Sequence, residues 1–586
     1  AASGDLVHLL NCAGYAIALQ SNVQGALEKY HESLSIQESI CSDQNGLLSL
    51  GQTATTIGML YMKCNDFKNA EIFFTKALEK KRAALGDIDT NPCAAKDLEN
   101  LGDLKRFQSK FDEADEFYMG AANCYKNTNK MHGIDLSNVV SKLGLSAGAR
   151  GDNDSAQSHL EMALQMKKQA YGQNAKNPDL VEALNNLGYV YAVYGRTIDA
   201  VQVYEESVEM QFSLCGENTP QSGLALSLMS LGVLYIKIGQ NGDARHYLEE
   251  ALQMKRSIHS GDEADTDSLG LLLNLGETCA VEGMWDDAEG YYKQALTMLL
   301  QRGNAAQKAT EVLMTLGHIA SQRGDHSASL HYVQQGFDLK QTIYGPSASN
   351  TDLVQALNLL AEAASRNGRR SLAIEKYDIS LKMQRVLLGS NAPDALLGET
   401  LSNIGTLYLQ ENDIALSETC LSEALLVQQS IHRDNPSPVM AATLQSLGKL
   451  HILQNNNNLA EMRFREAIEA MRYSAPEQGT QNLANTIMEL GNCAVLKGEM
   501  DTAQEHFRAA LEMKRRIFGP HEANTDLVHS LSRLGYVCAA VGDYHEAIAQ
   551  YEDALEMQER IQAVGTESVD IAATRNTLEI LYQKVQ

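Results

Sequence analysis

Fifteen histidines and ten cysteines are the side chains of this chain best suited to ligate a metal or attack an electrophile. A helical metal site needs two histidines four residues apart, and no pair has that spacing. His318, His451 and His545 read instead as surface or groove polar residues. The cysteines (Cys12, Cys41, Cys64, Cys93, Cys124, Cys215, Cys279, Cys420, Cys493 and Cys538) form no CxxC pair, so neither a zinc site nor a disulfide framework is expected. Most lie inside apolar helical patterns and read as small core residues, which points to a reducing compartment. One GxSxG string, Gly144–Gly148, would mark a nucleophile if it stood on a strand-to-helix turn. Its surroundings place it inside a helix. No P-loop, GxGxxG, HExxH or EF-hand pattern occurs. The residues predict no enzyme, no metal and no cofactor.

Two further features invite function and receive packing explanations. Trp285, the single tryptophan, shares its place with Phe67, Phe111, Met500 and Tyr544, so it reads as a packing residue that opens a helix. Basic runs at Glu79–Arg82, Met166–Lys168, Met254–Arg256 and Met513–Arg516 recur near helix ends. Cations there complement the helix dipole, and phosphate binding is the weaker reading.

The elements that position these residues come from an internal repeat. A glycine landmark, as in LNNLGYVYAVYG, falls at Gly14, Gly58, Gly102, Gly144, Gly188, Gly232, Gly276, Gly317, then Ala361, then Gly405, Gly448, Gly491 and Gly535. The spacing is 41–44 residues over thirteen repeats. Twelve residues after the landmark stands Ala, or Ser at Ser329 and Ser417. Sixteen after it stands a large apolar residue, aromatic in nine repeats, such as Tyr30, Phe74 and Tyr551. Seven after it stands Gly in eight repeats and Asn or Ser in the others. The pattern predicts two helices per repeat, with small residues where their backbones approach and a left-handed turn between them. Asn or Asp before segments such as Asn350–Leu357 and Asn524–Leu531 caps the free amides of a helix start. A final half-repeat carries Leu578 and Glu579 in the landmark region, so a last helix over Ser568–Gln586 is expected to cap the array.

These residues resemble the tetratricopeptide repeat family, whose signature runs Leu-Gly, Tyr, Ala, Phe along the unit. The unit here exceeds the usual 34 residues, and this long form is similar to the repeats of kinesin light chains and nephrocystin-type proteins. It differs in carrying Gly at the landmark, in its number of units, and in showing no heptad segment. The resemblance implies an all-α, right-handed superhelical solenoid of about thirteen helix-turn-helix repeats over residues 1–562, with a capping helix over 563–586. It also implies that the first helices line a concave surface.

Positions one to three before the landmark, and one after it, would then face a partner. They hold Asn100, Asn185, Asn186, Asn274, Asn358 and Asn403, with Tyr189, Glu277, His318, Glu362, Asn492 and Tyr536 beside them. An asparagine amide donates and accepts at once, so a ladder of them suits the backbone of an extended peptide. A clamp for chaperone tails would need Lys and Arg in three adjacent repeats. Repeats five to seven offer Asn185, Tyr189, Ser230 and Asn274 and no cation.

The formal net charge of −26 repels nucleic acid and anionic membrane and favours basic polypeptides. No run approaches 18 apolar residues. The opening AASGDLV lacks Met, as in a processed product or a fragment. A cytoplasmic place is expected, or an organelle reached after presequence cleavage. The chain is thus expected to be a non-enzymatic scaffold or adaptor for other proteins or peptides. The alternatives are a structural subunit of a cytoskeletal or organellar assembly, or the repeat part of a larger regulatory protein.

Overall fold

The computed structural model describes the whole chain except residues 1, 41–42, 87–90, 127–132, 217–220, 259–265, 302–304, 346–347, 389–393, 432–436, 475–479, 521, 564–570 and 586. The described residues form 27 α-helices and no strand, so the fold is an all-α repeat solenoid. They divide into two compact blocks, Ala1–Met298 and Leu299–Gln586, with the boundary inside the second helix of repeat seven. Within each block a first helix packs on its own second helix, and that second helix on the next first helix. Successive first helices also touch. Gly133–Arg150 meets Pro178–Val193 in one block, and Ala395–Gln410 meets Pro438–Leu453 in the other. Within each block the first helices therefore form one layer and the second helices another.

The landmark glycine has a more specific partner than backbone clearance alone predicts. Its face is covered by the large side chain sixteen residues on. A methyl group added at Gly58, Gly102 or Gly491 would stand 2.6, 2.5 and 2.6 Å from the rings of Phe74, Tyr118 and Phe507. Phe74, Tyr118 and Phe507 are at most 1% exposed. The small residue twelve after the landmark is also closed off, from Ala26 to Ala547. Each such ring contributes about 1.5–3 kcal/mol by leaving water. The GxSxG string lies within the helix Gly133–Arg150, where Gly144 receives Leu160, so it is no nucleophile elbow.

The turn between the two helices needs one left-handed residue. Eight repeats place Gly there, among them Gly195 (φ 78°) and Gly498 (φ 79°). The others place Ser21, Asn65, Ser109, Asn412 and Asn455, which are the positive-φ non-glycine residues of the described chain. Asn bears this conformation better than most residues because its short polar side chain bonds locally. The predicted caps also form: Asn350 Oδ1 accepts from Leu353 N at 2.8 Å and Asn524 Oδ1 from Asp526 N at 2.7 Å.

The basic runs have a structural use beyond the dipole. The cation 23 residues after the landmark is buried against the next repeat. Lys81, Lys167 and Lys514 are 7%, 2% and 2% exposed, and Gln37, Gln211 and Gln384 fill the same place elsewhere. Lys81 pairs with buried Asp97, while Lys167 Nζ donates to the Asp179 carbonyl at 3.2 Å. Gln211 Nε2 donates to Ser227 Oγ at 2.9 Å, and Gln384 Nε2 to Thr400 Oγ1 at 2.9 Å. The next residue points outward and joins consecutive second helices. Lys168 pairs with Glu206 at 2.6 Å, Arg385 with Glu423 at 3.0 Å and Arg515 with Asp553 at 2.8 Å.

The cysteines are less uniform than their patterns suggest. Cys124, Cys279, Cys493 and Cys538 are buried, but Cys12, Cys64 and Cys93 are exposed. Cys41 lies outside the described residues. His451 is buried, with Nδ1 3.0 Å from Gln454 Oε1, rather than at the surface.

Candidate functional site

A groove crosses the first-helix layer of the second block, over Ala306–Gln322, Thr351–Arg366, Ala395–Gln410 and Pro438–Leu453. One part, about 410 Å³, is lined by Ser402, Asn403, Thr406, Gln445, Ser446 and Lys449 with Glu362, Arg366 and Glu399. A second part, about 200 Å³, holds His318, Ser321, Met314, Val333 and Leu359 and borders the first at Glu362 and Arg366. The helix period explains the lining. Positions three before, one after and five after the landmark lie on one stripe, because three or four residues make one turn. In repeat ten these are Ser402, Thr406 and Gln410.

The groove is pre-ordered by its own bonds. Arg366 is held by Glu362 at 2.6 Å and donates to Ser321 Oγ at 2.9 Å. Thr406 and Ser446 share a hydrogen bond of 2.9 Å, and Thr443 donates to Ser402 Oγ at 2.8 Å. Burial pushes the Tyr377 hydroxyl far up, offset in part by a hydrogen bond to Asn403. That phenol stays neutral and can serve only as a hydrogen-bonding group. Hydroxyls and amides dominate the lining of the first part, with Glu362 and Arg366 where the two parts meet and Glu399 and Lys449 farther along it. Such a surface matches peptide N–H and C=O groups. Among the described residues no three His, Cys, Asp or Glu side chains gather as a metal ion would require.

The predicted site residues separate into four groups. His318, Glu362 and Asn403 line the groove. Tyr189, Glu277 and Tyr536 are exposed on first helices elsewhere, Tyr189 and Tyr536 by 60% and 53%. Asn186, Asn274 and Asn492 are half-buried, and the Asn492 amide donates to Glu489 at 3.0 Å. The remaining asparagines are turned toward neighbouring repeats. Asn185 Oδ1 accepts from Ser207 Oγ at 2.7 Å and Ser227 Oγ at 3.1 Å. Asn358 Nδ2 donates to Thr400 Oγ1 at 2.7 Å while its Oδ1 accepts from Ser380 at 2.6 Å. Asn100 is buried. Ser402, Thr406, Gln445, Ser446 and Lys449 also line the groove, although the asparagine pattern does not mark them. Their signal was the repeat position, not the residue type.

The chain matches models described as Tetratricopeptide repeat over residues 52–82, 224–263, 271–306, 396–472 and 482–560. Among the solved structures similar to it are the following two. One, the crystal structure of BtubC (BKLC) from P. vanneervenii, is 23% identical, covers 39% of this chain and 90% of its own, and has a TM-score of 0.35. The other, the apo form of RapI, is 14% identical, covers 66% of this chain and 99% of its own, and has a TM-score of 0.44. No curated protein matches the sequence.

Proposed function

The chain is a tetratricopeptide repeat protein, and on that premise we propose that it is a non-enzymatic scaffold that holds an extended polypeptide in the groove of repeats eight to eleven. One observation carries the reading. Two neighbouring hollows that share Glu362 and Arg366 span four first helices, and hydroxyls and amides that suit a peptide backbone dominate the larger of them. The lining contains no nucleophile held by a base, which favours binding over catalysis. The net charge of −26 favours basic partners through long-range steering.

The test uses a partner recovered from native extract. Replacing Asn403, Thr406 and Ser446 with Ala removes donors from the lining without altering charge. Dissociation should quicken, because contacts excluded from water mostly set the off-rate. Association should slow as salt rises toward physiological levels, where the screening length is about 8 Å. An off-rate unchanged by the triple substitution would overturn the groove reading. The partner contacts would then lie on the second-helix layer, as in a structural subunit.

A further inference from the structure

A cleft of about 800 Å³ opens in the first block between two consecutive second helices, Thr197–Cys215 and Asn241–Ile258. It is lined by Glu205, Glu209, Phe212, Tyr247 and Glu250, with Leu231 among the residues beneath. It lies in the second-helix layer and owes nothing to the groove of the other block.

The repeat register shows what this place holds elsewhere. Eighteen residues after the landmark the chain carries six carboxylates: Glu32, Glu206, Glu250, Glu423, Glu466 and Asp553. Five are paired with a cation. Lys168, Arg385 and Arg515 reach Glu206, Glu423 and Asp553 from the preceding second helix. Lys29 and Arg463 reach Glu32 and Glu466 from the same helix. Glu250 has no cation among the described residues. The residue that would supply one, 24 after the landmark of repeat five, is Phe212. Removing the long cation from this junction leaves the cleft.

The result is a half-buried carboxylate beside aromatic faces. Tyr247 stacks on Tyr235 with ring centres 5.4 Å apart, and the Tyr235 hydroxyl donates to Glu205 at 2.5 Å. These bonds hold Tyr247 and Glu205 in place. A half-buried carboxylate without a partner is costly, and a cation over an aromatic face is attracted to it. A planar guanidinium satisfies both demands, since it pairs with carboxylates and stacks on rings.

We propose that this cleft binds an arginine side chain of a partner polypeptide, which supplies from outside the cation that Lys168, Arg385 and Arg515 supply from within. The probe is a nine-residue Gly/Ser peptide with one central arginine, read by saturation-transfer NMR against the full chain. The same peptide with citrulline, which lacks the charge, should give no signal. The double substitution Glu209→Gln and Glu250→Gln should weaken binding about tenfold. The pair Glu28→Gln and Glu116→Gln removes two exposed charges elsewhere and should leave binding unchanged. Phe212→Arg should fill the cleft from within, abolish peptide binding and raise the melting temperature. Three results would overturn the proposal: no binding of the arginine peptide to the native chain, equal binding of citrulline, or equal weakening by the distant charge pair. Circular dichroism of each variant separates lost binding from lost folding.

Discussion

Tyr582 hydrogen-bonds Glu552, thirty residues before it and one repeat step away. The same step joins Tyr191 to Glu161 at 2.6 Å, Tyr235 to Glu205 at 2.5 Å and Tyr61 to His31 at 3.0 Å. The final helix, Ile571–Val585, thus docks on Tyr544–Ala563 as an internal first helix docks on its predecessor. Its other face differs. Where internal repeats have Gly it has Glu579, which is exposed.

A chain ending at Ala563 therefore loses the cover over Met557 and Ile561, which are 5% exposed beside Leu578 and Leu581. Amide exchange in Tyr544–Ala563 should accelerate, because each repeat is stabilised mainly by its neighbours. Full-length protection of that helix in the shortened chain would refute a capping role.

Gly491→Ala should destabilise despite the better helix propensity of alanine. The propensity gain is about 1 kcal/mol. Against it stands a methyl group 2.6 Å from the closed-in ring of Phe507, an overpacking cost of about 1–3 kcal/mol or more. Ala547→Leu, at a fully buried position, should cost at least as much. Thermal melts check both, and unchanged melting temperatures would show that the helix register is wrong.

Lys81 and Asp97 form a buried ion pair between repeats two and three, with Thr55 also bonded to the carboxylate. Removing one partner, as in Lys81→Met, strands the other charge and should cost about 3–5 kcal/mol. Replacing both with apolar residues should cost much less. Because long arrays unfold in parts, hydrogen exchange in repeats two and three is the measurement that resolves the difference. Equal loss from the single and double changes would contradict the pairing.

His31 should make the first block acid-sensitive. Burial lowers its pKa, helped by nearby Lys76. Its ring meets Tyr61 Oη at 3.0 Å and lies edge-on to Phe73 at 5.2 Å. A lowered folded pKa means the unfolded state takes up the proton first. The stability is present above the ordinary histidine value of about 6.5 and is lost as pH falls through the folded one. Melts of the native chain and His31→Gln between neutral and mildly acidic pH should converge as pH falls. Parallel curves would remove His31 from the account.

Repeat length, helix pairs and turn positions were legible in the residues alone. Each depends on local demands that recur in every repeat. A glycine must lie beneath the ring of Phe507 or Tyr204, and Gly195 or Asn65 must turn left-handed. No distant residue can change those demands. The site was legible only as a set of positions. Ser402 and Asn358 hold the same repeat position, three before the landmark, yet Ser402 lines the groove while Asn358 is engaged by Ser380 and Thr400. Thr400 belongs to the next repeat, so the fate of Asn358 depends on a pairing 42 residues away. The basic runs follow the same logic. Repeat position buries both Lys81 and Lys167, but the residue opposite decides the partner, the Asp97 carboxylate in one case and the Asp179 carbonyl in the other. Polar groups take whatever partner the stacked repeats bring within reach, and only the tertiary structure decides which that is.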